Sequence, residues 1–284
     1  MSSLTYLCLT IILIHSTAAA EIESRIFGGE SFYPYEHRYL VYLEVFYCRS
    51  DDLTTCSGSI LNNQWIISSA HCFENNVKSV EVYQARGNEF KLIAFALKSN
   101  IIIHPGYVYG EELSYRNIAD DLALVKTAKP IQFGVFTWPI ALPNDGVSIG
   151  ELATIVGYGD AEFGMSVPRE GQVFISECEH GQNHPVICSY NLAWAGFGDS
   201  GGPLVSGGVL VGVTSAVIQI NVFGVAYTEV HSKTPWIREV MGDRTMSNRS
   251  EKEERSARCW GSETCRGCGA CVCESRDPGQ RSGL

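Results

Sequence analysis

The chain has 284 residues, a formal net charge of −10, 45% hydrophobic residues and 18% charged residues. That length supports one large or two small cores, and that composition folds instead of staying disordered. With an acidic balance and no long basic block, the chain offers nothing to a phosphate backbone or an anionic membrane surface, which excludes nucleic acid and membrane as partners.

In chain order, the first segment is an address. Leu4 to Ile14 is almost wholly apolar and Ala18-Ala19-Ala20 follows. These are the short apolar core and Ala-x-Ala cleavage site of a secretory signal peptide, although no Lys or Arg precedes them. A membrane span would need about 20 apolar residues, and this run is shorter. Residues 1–20 are expected to be removed and the mature chain to be secreted and extracellular. Cys8 would leave with them, so ten of the eleven cysteines remain. An even number in an oxidising compartment favours disulfides.

Short strands and turns follow. Tyr39 to Tyr47 is aromatic and β-branched. Ser59 to Leu61 and Trp65 to Ser68 flank Asn62-Asn63-Gln64, which reads as a hairpin loop. Ser79–Tyr83, Phe90–Leu97, Leu122–Lys126, Ala153–Val156 and Gln172–Ser176 continue the series, and the Val-rich segments Val209–Val213 and Val225–Val230 close it. Gly201 to Thr228 carries no charge, but Pro203 and six glycines argue for buried strands over a span. The expected helix is Pro235 to Met241, with Thr234 as N-cap. Such regular short strands suggest a sandwich or barrel, so the core is expected to be nearly all β. After Gly242 the composition turns polar and charged: 243–258 reads as a linker, with one glycosylation sequon at Asn248, and five cysteines crowd 259–273.

The chemistry concentrates in Gly198-Asp199-Ser200-Gly201-Gly202-Pro203. Serine is a poor nucleophile unless a base takes its proton and donors stabilise the resulting oxyanion. Glycines around it let the backbone N–H groups of Gly198 and Ser200 converge on one point. Ala70-His71-Cys72 and Asp121-Leu122-Ala123-Leu124 precede it. The glycine-flanked serine also fits the nucleophile elbow of α/β-hydrolases. That fold needs an acid and then a histidine downstream, and a helix after the serine; Glu229 and His231 are the only downstream candidates in the folded part, and strand-like sequence follows Ser200.

These motifs, in this order, resemble those of the chymotrypsin-trypsin family of serine proteases. Ser68-Ser69-Ala70-His71-Cys72 is similar to its histidine motif, Asp121-Leu122-Ala123-Leu124 to its aspartate motif and Gly198 to Pro203 to its serine motif. Cys56-Ser57-Gly58-Ser59, His104-Pro105-Gly106-Tyr107, Gly157-Tyr158-Gly159 and Pro235-Trp236-Ile237 add to the match, which covers 26–242. The resemblance implies two packed antiparallel six-stranded β-barrels with a C-terminal helix. It implies His71, Asp121 and Ser200 as catalytic triad and the N–H groups of Gly198 and Ser200 as oxyanion hole. Asp120, beside Asp121, is read as a solvated loop charge.

Arg25-Ile26-Phe27-Gly28-Gly29 resembles the family's activation site, with Phe27 where Val is usual. Residues 21–25 would be a propeptide, cut after Arg25, and the freed Ile26 ammonium would pair with Asp199. The resemblance further implies disulfides Cys56–Cys72 and Cys178–Cys188. It lacks the bridge beside the specificity pocket: Gly196 stands where a cysteine is usual, and no cysteine lies between Ser189 and Arg258. Around that pocket Trp194 and Ala195 bring no acid, and Ser215-Ala216-Val217 replaces Ser-Trp-Gly. The expectation is cleavage after small or apolar residues, elastase-like or chymotrypsin-like. The alternative is a weakly active or inactive member, its pocket filled by Trp194, that acts as a binding protein or toxin.

Thiolate spacings in the tail at 259–273 fit a metal site, but a secretory route favours disulfides there, with Cys48 as a partner or free. No cofactor and no metal is expected, and Glu74 and Glu81 read as surface charges. Expected partners are protein or peptide substrates, an activating protease and protease inhibitors, the chain itself being a monomer.

Overall fold

The structure is a computed structural model that describes residues 26–48, 53–74, 76–87, 89–110, 114–159, 168–179, 181, 183–219 and 223–242. The expected signal peptide, the expected propeptide with Arg25, the polar segment with its sequon and the cysteine-rich tail lie outside the described residues. The chain divides into two compact units, Met1–Thr234 and Pro235–Leu284; of the second, the described part is the end of the C-terminal helix.

In chain order the first strands are β1 (Glu30–Ser31), β2 (Leu40–Tyr47), β3 (Leu53–Ile60) and β4 (Trp65–Ser68). β5 (Val77–Arg86), β6 (Glu89–Leu97), β7 (Ile101–Ile103), a one-turn helix α1 (Tyr115–Ile118) and β8 (Ala123–Lys126) follow. Then come β9 (Leu152–Gly157), β10 (Arg169–Phe174), β11 (Val186–Tyr190) and β12 (Pro203–Ser206). β13 (Val209–Gln219), β14 (Phe223–Glu229) and helix α2 (Val230–Met241) complete the chain.

The strands form two antiparallel sheets, β6-β5-β2-β3-β4-β8-β7 and β1-β10-β9-β12-β13-β14-β11. Each curls until its edges meet. In the first, β6 and β7 are one stretch of chain bent at a 3₁₀ turn, Lys98–Asn100. β6 pairs with β5 and β7 with β8, so both edges are the same bent strand. In the second, Ser176 just past β10 exchanges hydrogen bonds of 2.7 and 3.0 Å with Cys188 of β11. β1 is a two-residue addition on the β10 side. By chain path both are six-stranded barrels, as the resemblance implied.

β2 shows why the sequence reads as it does. Val41, Leu43 and Val45 point into the first barrel with Ile60, Ile66, Val80, Val82 and Val125. Leu40 and Tyr42, on the opposite face, pack with Phe32, Val156 and Tyr158 between the two sheets. A strand buried on both faces loses the polar alternation of a half-exposed one. Each such side chain contributes on the order of 1.5–3 kcal/mol by leaving water. The second barrel is filled by Ile155, Val173, Ile187, Leu204, Val211, Val225 and Tyr227.

The β3–β4 hairpin turns where expected: Asn62 Oδ1 accepts from the N–H groups of Gln64 at 2.9 Å and Trp65 at 3.0 Å, an Asx turn that reverses the chain. The C-terminal helix starts earlier than its sequence suggests. Glu229 caps it, taking the N–H groups of His231 at 3.2 Å and Ser232 at 2.8 Å. Thr234 is therefore inside the helix, its hydroxyl donating to Val230 O at 3.1 Å.

Candidate active site

His71 and Asp121 both sit on the first barrel. β4 ends at Ser68, and a 3₁₀ turn, Ala70–Phe73, carries His71. The Cys56–Cys72 disulfide ties that turn to β3. Asp121 follows α1, whose N-cap Ser114 accepts from Asn117 N–H. The Asn117 amide exchanges two 3.0 Å hydrogen bonds with the Val108 backbone. Thr228 Oγ1 donates to Asp121 O at 3.0 Å. The backbone on both sides of the carboxylate is thus fixed before any side-chain chemistry begins.

Asp121 is fully buried and accepts three hydrogen bonds. His71 N–H donates to Oδ1 at 2.9 Å, and His71 Nδ1 to Oδ2 at 2.7 Å. The Ser215 hydroxyl donates to Oδ2 at 2.5 Å. Three donors offset the desolvation of that charge. Burial by itself would lower the His71 pKa; the Asp121 carboxylate, with Glu74 adding to it, outweighs burial and holds His71 above the usual imidazole range. Glu74 is a surface charge only in part, since its Oε1 accepts from Tyr107 OH at 2.7 Å and Gly110 N–H at 3.1 Å. Glu81 accepts from Tyr83 OH at 2.6 Å on the outer face of β5.

Asp120 is not the solvated charge its loop position suggested. Its Oδ1 lies 2.5 Å from Lys233 Nζ and 3.2 Å from His104 Nδ1, all three side chains at most a quarter exposed. Burial and Lys233 lower the His104 pKa, with Asp120 opposing them.

Ser200 belongs to the second barrel and is bolted to the first. Ser57 of β3 donates its N–H to Ser200 O at 2.8 Å and its hydroxyl to Gly198 O at 2.9 Å. Thr214 O receives the Ser69 hydroxyl at 2.6 Å and the Gly201 N–H at 2.8 Å. One carbonyl therefore binds a residue two before His71 and the residue after Ser200. Gly201 has φ +79°, and a Cβ there would collide with Ser68 Oγ and Ser57 O. This is a physical reason for glycine at that place. Among the described residues no hydrogen bond joins His71 to Ser200, and the N–H groups of Gly198 and Ser200 take no acceptor. Sequence reasoning quoted Ser57 and Ser69 within motifs but gave them no role, and it missed Thr214. The bonds of Ser57 to Gly198 and Ser200, and of Ser69 to Thr214, span more than a hundred residues and leave no local pattern.

Behind this loop Asp199 is fully buried. Burial raises its pKa to about 7, opposed by the N–H groups of Gly196 at 2.8 Å and Gly159 at 2.7 Å. Gly157 must lack a side chain there, because a Cβ would meet the Asp199 carboxylate. Ile26 is 1% exposed and docks with Ile155, Ala193 and Ala195 in the second core. Cys178 and Cys188 are bonded, and exposed Cys48 has no disulfide partner among the described residues.

Around the expected pocket, Ala195 is buried and Trp194 half-buried. The Trp194 indole stacks between Phe27 and Phe223. Ser215 points to Asp121, while Ala216 and Val217 continue along β13. Val217 is exposed and pairs across the ladder with the buried Val225, which the motif reading did not single out. Leu192, Phe197, Val217 and Phe223 leave apolar surface exposed on the segments flanking Trp194 and Ser200.

The trypsin family model matches residues 26–237. Trypsin-1 of Salmo salar is 28% identical over 224 residues, 73% of this chain and 86% of that protein. Trypsin of Xenopus laevis is 27% identical over 254 residues, 81% of this chain and 96% of its own length. Serine protease 1 of Homo sapiens is 29% identical over 209 residues, 66% of this chain and 79% of that one. A solved structure of HL collagenase shares the fold with a TM-score of 0.62 at 23% identity, over 75% of this chain and 97% of that chain.

Proposed function

The chain belongs to the trypsin family of serine proteases, and from that premise we propose that it is a secreted endopeptidase, made as a zymogen, with His71, Asp121 and Ser200 as its triad. The observation that carries the reading is the grip of buried Asp121 on both the backbone and the ring of His71. It fixes the imidazole with Nδ1 as donor and leaves Nε2 to act as base. Ser200 Oγ attacks the scissile carbonyl carbon, and His71 takes its proton. The oxyanion is received by the Gly198 and Ser200 N–H groups, which have no acceptor among the described residues. His71 then protonates the leaving amine, and water repeats the sequence in reverse to release the acyl group. Catalytic hydrogen bonds are often long without substrate, so the missing His71–Ser200 contact is compatible with this chemistry.

Activation follows from Asp199. A carboxylate buried so deeply against only two N–H groups favours a proton or a cation. Cleavage after Arg25 would supply one, the new ammonium of Ile26, whose side chain is already docked in the second core. The exposed apolar surface of Leu192, Phe197 and Val217, with no acid on Trp194–Gly196, supports cleavage after small or apolar residues. Protein or peptide substrates, an activating protease and an extracellular location complete the reading.

The test is labelling by a fluorophosphonate before and after cleavage at Arg25–Ile26. Labelling should appear only after cleavage and vanish in Ser200→Ala. Folded, cleaved protein that does not label would overturn the enzyme and move the function to binding.

A further inference from the structure

Phe27, Trp194 and Phe223 form one stack. The Phe27 and Trp194 rings lie 5.2 Å apart and 12° from parallel, and those of Trp194 and Phe223 lie 5.3 Å apart and 13° from parallel. The backbone reinforces the first pair: Phe27 N–H donates to Trp194 O at 2.8 Å and Trp194 N–H to Phe27 O at 3.1 Å. The indole is stacked with one ring from the N-terminal segment and one from β14.

Trp194 begins the loop that ends at the nucleophile. Two residues on, Gly196 N–H holds Asp199; four on, Gly198 opens the turn around Ser200. No cysteine lies between Ser189 and Arg258, so no disulfide can tie this loop to β13 or β14. The stack adds side-chain contact to the backbone bonds at the start of the loop, which are the Phe27–Trp194 pair and the bond from Asn191 N–H to Phe223 O at 3.1 Å. We infer that the stack is the brace of the specificity wall, and that Phe27 is a positioning residue that completes it. The inference rests on the proteolytic reading above and adds to it the aromatic stack that holds the wall in this chain. Valine at 27 would keep the backbone pair and some apolar contact, and would lose one of the two rings stacked with the indole.

The experiment compares cleaved wild type, Phe27→Val and Phe27→Tyr. Peptides with apolar residues at the cut site report the wall; a small fluorophosphonate with no such side chain reports the triad alone. Phe27→Val should lower kcat/KM on the peptides about fivefold, chiefly through KM, the size expected for one stacked aromatic pair. Its labelling rate should stay within about twofold of wild type, and Phe27→Tyr should restore the peptides. Unchanged peptide kinetics, an equal loss of labelling, or no rescue by Tyr would overturn the brace. Near-ultraviolet circular dichroism reads the stack without catalysis: loss of tryptophan signal in Phe27→Val, retained in Phe27→Tyr, supports it, and an unchanged spectrum overturns it. Wild type that fails to label sinks the protease, and the dichroism then decides the stack by itself.

Discussion

At Asp121 a backbone N–H, a ring N–H and a hydroxyl converge on one buried carboxylate. Ser215 is the donor that no motif announced as a partner of Asp121, since its sequence place pointed to the pocket wall. Removing it leaves a buried lone pair without its donor, which costs more than an average hydrogen bond yields. Ser215→Ala should lower kcat about tenfold while KM stays within about twofold, as for a group that orients a catalytic residue. The sign of the pH effect also follows. With one donor gone, more of the Asp121 charge acts on His71, so the acid limb of kcat/KM should move to higher pH. The groups facing His71 and Asp121 are Glu74, Tyr107 and Ser215, with Asp120, His104 and Lys233 behind. A kcat loss with an unmoved acid limb would leave Ser215 a packing role only. The pairing of His71 with Asp121 was legible because the motifs around them resemble those of a family whose acyl-transfer chemistry needs such a pair. Ser57 and Ser69 stand in matched motifs, but their roles were not legible, because a serine that bonds a distant carbonyl looks like any other serine until the chain is folded.

Elements were legible where burial is one-sided or complete. β2, β4, β5, β8 and β14 carry β-branched and aromatic runs that exclude other readings. The first half of β3, Leu53–Ser57, was missed: its threonines and glycine-flanked serines lack an apolar period, and the strand exists because β2 pairs along its whole length. β7, β11 and β12 are short, and their identity comes from closing a barrel, a long-range event. The helix start failed for a local reason, since Glu229 caps from within what reads as a strand end. The turn between β11 and β12 is where local conformation is most exacting. Gly201→Ala puts a Cβ into Ser68 Oγ and Ser57 O at a positive φ. Such a change costs a few kcal/mol, so Tm should fall by roughly 5–10 °C. Labelling of the cleaved variant should be lost as Ser57 and Ser200 are driven apart. Retained labelling at wild-type rate would show that the turn relaxes without moving the nucleophile.

At the scale of the whole molecule, the barrels divide the work: His71 and Asp121 lie on the first, Ser200 and Asp199 on the second. The proposed activation would therefore act through the second barrel, and Asp199 is where its energetics can be read. In the uncleaved chain Ile26 contributes an amide, without charge, and burial places the Asp199 pKa at about 7 against 3.8 for an ordinary carboxyl. The folded state then binds this proton more tightly than the unfolded state. Its stabilising effect is complete below pH 3.8 and is lost as pH rises through about 7. Uncleaved protein should consequently melt lower at pH 8 than at pH 5, by about 5–10 °C on account of this group. Asp199→Asn, which cannot ionise, should flatten that slope whatever its own Tm. After cleavage the Ile26 ammonium would keep the carboxylate charged at both pH values. Wild type should then lose most of the slope, and Asp199→Asn should lose labelling. Melting curves of four samples, wild type and Asp199→Asn before and after cleavage, decide the matter. An uncleaved wild type whose slope matches that of Asp199→Asn would show that Asp199 is already compensated before cleavage, and the switch would have to lie elsewhere.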